Sequence, residues 1–251
     1  MGRYGASMSE LDLTFRQRLG WIAHVFKAAT QNHHPELERL FAPMIAKDAV
    51  IADVGAHAGQ FAKIFARLAP QGRIYAFEPS SYALSVLPHA LGFNGVKHVT
   101  IEPYGLSDAP GSFTMSTPLK RGRAEVGFGL AHLGTDDDKR PMRVESIEVR
   151  TLDWFAEAAK LSRLDFLKAD VEGWESRMLM GGQSTLSRFK PTLFLEIVES
   201  SLARAGSTGA DIFSLLAPIG YRAQKLNPDV TLSDVNAFSG DSDYLFVADR
   251  G

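Results

Sequence analysis

The chain contains no cysteine, so disulfides, thiolate metal sites and cysteine nucleophiles are all excluded. That absence agrees with a reducing compartment. No apolar run approaches the roughly 18 residues that a membrane span needs. The first residues also lack the charged-then-apolar layout of a secretory leader, so a cytoplasmic protein without a membrane span is expected. Basic charge is not in excess: 27 Lys and Arg stand against 29 Asp and Glu, a net charge of −2. Nothing there provides the clustered positive surface that DNA or RNA demands, and no nucleic-acid partner is expected. Internal repeats and low-complexity tracts are missing, which excludes solenoids. The Gly-Lys-Ser/Thr ending of a phosphate-binding P-loop is missing too.

What is present is enough chain, 251 residues, to bury the core of one domain with an appended segment. Its organising stretch is Val50-Ile51-Ala52-Asp53-Val54-Gly55-Ala56-His57-Ala58-Gly59-Gln60-Phe61. A short apolar run, a turn with two glycines and then helical periodicity read as a buried parallel strand, a ligand-cradling loop and a helix. Glycine lets backbone approach a ligand closely, and the first turn of the helix offers N–H groups. Further on, Arg73-Ile74-Tyr75-Ala76-Phe77-Glu78-Pro79 is a second strand ending in a carboxylate. An acid at that place in a βαβ unit is positioned for the two hydroxyls of a ribose. An adenosine-containing cofactor follows. In the dinucleotide fingerprint the first of three glycines stands where this chain has Asp53. A carboxylate repels a pyrophosphate and attracts an ammonium or sulfonium, which favours S-adenosylmethionine over NAD or ATP.

The string from Asp53 to Gly59, followed by Phe77-Glu78-Pro79, resembles the start of a class I S-adenosylmethionine-dependent methyltransferase. Leu164-Asp165-Phe166-Leu167-Lys168-Ala169-Asp170-Val171-Glu172-Gly173-Trp174-Glu175 is similar to the FkbM-type branch, with Lys-x-Asp-x-Glu-Gly-x-Glu its most specific mark. The resemblance spans roughly residues 48 to 248. It implies an α/β, Rossmann-like, seven-stranded and mostly parallel sheet with helices on both faces, closed by an antiparallel hairpin. It also implies O-methyl transfer to a hydroxyl of a small molecule or glycan, such as a natural product or surface polysaccharide. N-methyl transfer, or a cofactor-binding scaffold without turnover, are the alternatives.

Along the chain, residues 1–47 form an N-terminal helical extension, with helices over Leu11 to Ala29 and Pro35 to Ala46. This section reads as a packing layer or lid, or else as a substrate cover or the arm of a homodimer. Residues 1–9 read as disordered, and the neighbours His33 and His34 as a solvated turn. The domain proper runs over 48–251. Strands are expected at Ala49 to Val54, Arg73 to Phe77, Val96 to Ile101, Leu164 to Asp170 and Pro191 to Ile197, with helices between them. Tyr221 to Leu226 and Tyr244 to Val247 are the terminal strands, and Trp174 to Leu186 is one helix. A β-rich insertion at about 109–151 precedes the fourth core strand, with strands at Gly111 to Thr117 and Ser146 to Thr151. Between these, a glycine- and charge-rich segment reads as mobile, and Asp136 to Asp138 as solvated surface.

Methyl transfer to oxygen needs positioning, exclusion of water and removal of a proton. The cofactor set is Asp53, Gly55, His57, Gly59, Glu78, Pro79, Leu106, Ser107 and Asp170; Leu106 and Ser107 enter through the resemblance, as the frame of the adenine. Residues two apart on a strand share a face, so Lys168 and Asp170 emerge together at the ligand edge. Asp170, Lys168 and His57 are the catalytic candidates. As a base, Asp170 would need burial to raise its pKa and Lys168 a lowered one. Histidine suits neutral pH better. Glu172, His132 and Glu196 are the substrate candidates, and Asp170, Glu172 and Glu196 leave a Mg²⁺ site open by analogy with sugar O-methyltransferases.

Overall fold

A computed structural model of the chain describes residues 14–118, 132–133 and 142–248, with 117–118, 132–133 and 142 as backbone only. The expectations on residues 1–9, on Asp136 to Asp138 and on the side chain of His132 lie outside the described residues. Helix α1 (Phe15–Thr30) starts at Thr14, whose side chain and that of Gln17 cap each other's backbone. Helix α2 (Pro35–Phe41) opens on a proline and stops earlier than periodicity suggested. Then come strand β1 (Val50–Val54), helix α3 (Gln60–Leu68), β2 (Arg73–Phe77), α4 (Ser81–Phe93) and β3 (Val99–Glu102). The insertion holds β4 (Gly105–Leu106), β5 (Gly111–Pro118), β6 (His132–Leu133) and β7 (Met142–Arg150). After it follow α5 (Leu152–Ala158), β8 (Phe166–Ala169), α6 (Glu175–Met180), α7 (Gln183–Phe189) and β9 (Thr192–Ile197). The chain ends with α8 (Glu199–Arg204), α9 (Gly209–Leu216), β10 (Tyr221–Leu226), β11 (Leu232–Val235) and β12 (Ser242–Ala248).

The main sheet runs β11-β10-β12-β9-β8-β1-β2-β3. From β9 to β3 neighbours are parallel, while β12, β10 and β11 are antiparallel additions. It contains the seven expected strands and an eighth. That extra strand, β11, is short, pairs only with β10 and has apolar residues only at its two ends, so it carries no apolar alternation to announce it. Successive residues of the core strands point to opposite faces. Ala52, Val54, Leu167, Ala169, Leu193 and Leu195 enter one apolar cluster, and Ile51, Phe166 and Phe194 enter the other. The second cluster includes Leu37, Phe41 and Ile45 from the front of the chain, and Phe41 is fully buried against Phe61, Phe65, Phe166 and Phe194.

The expected single helix from Trp174 to Leu186 is broken at Gly181 and Gly182 into α6 and α7. A Cβ on Gly181 would lie 2.0 Å from the Ser107 carbonyl oxygen, so only glycine lets that backbone pass. The strand expected at Ser146 begins at Met142 and pairs antiparallel with β5 from Gly111↔Val149 to Pro118↔Met142. Polar residues mask its alternation because one of them is an anchor. Glu145 accepts hydrogen bonds from Ser80 Oγ (3.2 Å), Ser81 N (3.2 Å) and Ser81 Oγ, docking the insertion on the start of α4.

Candidate active site

The strand ends that carry the motifs border one cavity of about 320 Å³, within the range of small-molecule sites. The cradle comes from β1. Gly55 has φ +74°, and a Cβ there would sit 2.0 Å from the Asp170 carbonyl oxygen, so the loop after β1 presses directly on the loop after β8. His57 also adopts a left-handed conformation (φ 51°). The loop's first N–H groups are consumed internally. Gly55 and Ala56 both donate to the Phe77 carbonyl at 3.0 Å, and His57 N donates to Glu78 Oε2 at 2.7 Å. Those three N–H groups are therefore not offered to a ligand. Gly59 (φ +88°) heads α3 and packs on Leu87 instead of the cavity wall.

Three layers climb one face of the sheet. The lowest is apolar, with Ile51 beside Phe166. Above it Asp53 pairs with Lys168, and Lys168 with Phe194. One residue beyond the last β8–β9 pair, Ala169↔Leu195, stand Asp170 and Glu196, and Glu196 in turn pairs with Asp243 of β12. Lys168 is 2% exposed. Its Nζ donates to the carbonyls of Val54 (3.3 Å) and Gly55 (3.1 Å), lies 3.7 Å from both Asp53 Oδ1 and Asp170 Oδ2, and sits 4.9 Å from the centre of the Phe61 ring. Burial works against its charge, but the carboxylates of Asp170, Asp53, Glu196 and Glu78 outweigh it and raise the pKa. Lys168 thus holds its proton firmly, contrary to what a basic lysine would require. It clamps the end of β1.

The carboxyls around this cation are shifted upward as well, which for them favours the neutral form. Burial lifts Asp53 to about 6 and Glu78 to about 7. Burial, then the neighbouring Asp170 charge, lifts Glu172 to about 7 and Asp243 to about 6. Glu196 goes furthest, to about 8, through burial and then through Asp170, with which it shares a hydrogen bond. Asp53 is completely buried and does not reach the cavity. Neither of its oxygens closes a hydrogen bond of ordinary length, and the Ala62 N–H and Lys168 steady it. His57 borders the cavity, with its pKa lowered to about 4 by burial and by His24, whose ring is 6.0 Å away. It is neutral at physiological pH.

Gly55, His57, Glu78, Pro79, Leu106, Lys168, Asp170 and Glu172 of the expected set border the cavity. Ser107 does not; it is fully buried and accepts from Trp174 Nε1 at 3.0 Å. Glu196 stands behind Asp170. Glu172 takes a left-handed conformation (φ 54°) next to Gly173, where a Cβ would meet the Ser201 carbonyl at 2.2 Å. Among the described residues no group of three or more acids and histidines is arranged to hold a metal ion, so Mg²⁺ at Asp170, Glu172 and Glu196 is not supported.

Several wall residues escaped the sequence reading. His34 is exposed, as expected of a turn, and in addition it borders the cavity and stacks on Phe61 with ring centres 5.3 Å apart. It stands before Pro35 with φ 52°, a backbone conformation that the sequence does not announce. Met115, Ile147 and Val149 of the insertion, with Leu106 and Trp174, make an apolar side to the cavity. Their alternation along β5 and β7 was the available clue.

The profile of the FkbM methyltransferase domain matches residues 53–223, more than half of the chain. The chain belongs to the FkbM methyltransferase family. Its fold is that of class I S-adenosylmethionine-dependent methyltransferases. It is similar to the 2-O-methyltransferase NoeI of Sinorhizobium fredii, 26% identical over 196 residues that cover 75% of this chain and 78% of that one. Among solved structures, the FkbM methyltransferase of Methylobacillus flagellatus aligns with a TM-score of 0.50 at 15% identity, covering 90% of this chain and 58% of the longer relative. A Streptococcus mutans protein solved with S-adenosylhomocysteine also aligns at 0.50, with 10% identity, 84% of this chain and 94% of that one. At such identities these two structures speak for the fold alone.

Proposed function

We propose that this FkbM methyltransferase moves the methyl group of S-adenosylmethionine to a hydroxyl of a small-molecule or glycan acceptor. The observation that carries the proposal is the acid layer around one buried lysine. Glu78, Asp170 and Glu172 border the cavity, and Lys168 is the sole permanent cation among its described residues. Such a wall repels a pyrophosphate and favours a ligand with an ammonium and a sulfonium. The donor set therefore fits the cofactor.

When bound, S-adenosylmethionine supplies an electrophilic methyl group on sulfur. Glu78, already fixed by the N–H groups of His57 and Ser80, would take the ribose hydroxyls with its remaining lone pairs. Pro79, Leu106 and the apolar side of the insertion would hold the flat base and keep water out. Lys168, through the Val54 and Gly55 carbonyls, keeps the cradle closed against the Asp170 loop. Asp170 is the acceptor-side group: it borders the cavity, and its side chain is 38% exposed. There its carboxylate would accept the hydrogen of the incoming hydroxyl and take up the proton as oxygen attacks. NoeI, a 2-O-methyltransferase, supports oxygen as the acceptor atom.

The test is a panel of glycosides, polyhydroxylated natural products and amines incubated with the enzyme, reading S-adenosylhomocysteine release and the mass of the product. An O-methylated product is expected, lowered by about 100-fold or more in Asp170→Asn while cofactor binding persists. Methylation confined to amines, or undiminished turnover by Asp170→Asn, would contradict the proposal.

A further inference from the structure

Helix α1 has two apolar faces and only one is covered. Trp21, Ala28 and Ala29 are buried against α4, where Trp21 Nε1 donates to Ser85 Oγ at 2.8 Å. On the other side Phe15, Leu19, Ile22 and Phe26 are 76%, 53%, 53% and 67% exposed. Their spacing of four, three and four residues sets them in one stripe along the helix. Phe93, 69% exposed, stands at the end of α4, and the next residue, Asn94, ties that end to α1 by donating to the Ala29 carbonyl at 2.8 Å. Isolated exposed apolar residues are ordinary, whereas a contiguous stripe marks a contact surface.

Charge identifies the contact. Arg16 and Lys27 are exposed beside the stripe, and no acid occurs between Thr14 and Pro35. We infer that α1 seats the protein on an anionic lipid surface, its apolar stripe entering the headgroup–acyl boundary and its cations meeting lipid phosphates. A second copy of the chain is a poorer occupant, because two such helices facing each other would bring like charges together with no acid on either to neutralise them. The helix has 16 residues, and no helix among the described residues is long and apolar enough to cross a membrane, so α1 lies on the surface. The opposite side of α1 reaches the catalytic cavity through His24, beside His57 and Tyr82.

The experiment is co-sedimentation of the full chain with phosphatidylcholine vesicles, with and without about one-third phosphatidylglycerol, at low and high salt. Wild type should bind the anionic vesicles at least about tenfold better than the neutral ones, and salt should weaken the binding. Replacing Phe15, Leu19, Ile22 and Phe26 together by serine should abolish it. Arg16→Gln and Lys27→Gln should each lower it about fivefold, with circular dichroism confirming that every variant is folded. Wild type failing to bind anionic vesicles, or binding both kinds equally, overturns the inference whatever the variants do. So does a wild-type dimer that the four-serine variant converts to monomer, since the stripe would then belong to a second copy.

Discussion

Glu175 offers a sharp test of the electrostatics, because its charge has little to oppose it. The side chain is 1% exposed at the start of α6. Its Oε1 accepts from Val171 N at 2.9 Å and Gly173 N at 3.4 Å, while no hydrogen-bond partner reaches Oε2 among the described residues. Burial dominates and pushes the carboxyl from the ordinary 4.5 up to about 7. A group whose pKa is raised by folding stabilises the fold fully below its unfolded pKa, and that contribution is lost as pH climbs to the folded value. The interval from 4.5 to about 7, at about 1.36 kcal/mol per pH unit, amounts to about 3 kcal/mol. Glu175→Gln keeps the acceptor for both N–H groups and removes the titration. Its amide must also be buried, a cost of about 1–3 kcal/mol present at every pH, so the difference in slope is the signal. Thermal melts between about pH 5 and pH 8 should show wild type losing roughly 6–12 °C more than the variant. Parallel curves would refute the reasoning.

Three further outcomes follow from the same geometry. Gly55→Ala must adopt a left-handed conformation, costing about 1–2 kcal/mol, and push its Cβ away from the Asp170 carbonyl now 2.0 Å distant; titration calorimetry should show cofactor affinity falling by at least about tenfold. Lys168→Met leaves Asp53 and Asp170 without their cation and should cost about 3–5 kcal/mol in chemical denaturation, partly regained by adding Asp53→Asn. In wild type, ionisation of Glu196 near 8 places a further negative charge behind the acceptor side of the cavity and should change the methylation rate there, and Glu196→Gln should remove that inflection from the pH–rate profile.

The sheet was legible because strands buried on both faces announce themselves as short apolar runs, and Arg73–Phe77 was bounded correctly from that signal alone. The two-residue period also placed Lys168 beside Asp170, which the 3.7 Å separation realises. What alternation does not reveal is depth. Asp53 and Lys168 look like cavity residues in sequence, but the layered packing buries Asp53 completely and turns Lys168 into a clamp. His34 was missed for the complementary reason: a residue far from the motif reaches the cavity only by stacking on Phe61, a tertiary contact without local trace. Gly181 and Gly182 broke an otherwise periodic helix because the Ser107 backbone passes there, and no periodicity reports a neighbour.

The most direct measurement is calorimetric titration of wild type and Glu78→Ala with S-adenosylmethionine, S-adenosylhomocysteine and NAD. The account predicts binding of the first two alone, weakened about 10–100-fold by the substitution as charge-assisted bonds worth roughly 1.5–3 kcal/mol are lost. Binding of NAD, or S-adenosylmethionine affinity indifferent to Glu78, would contradict it.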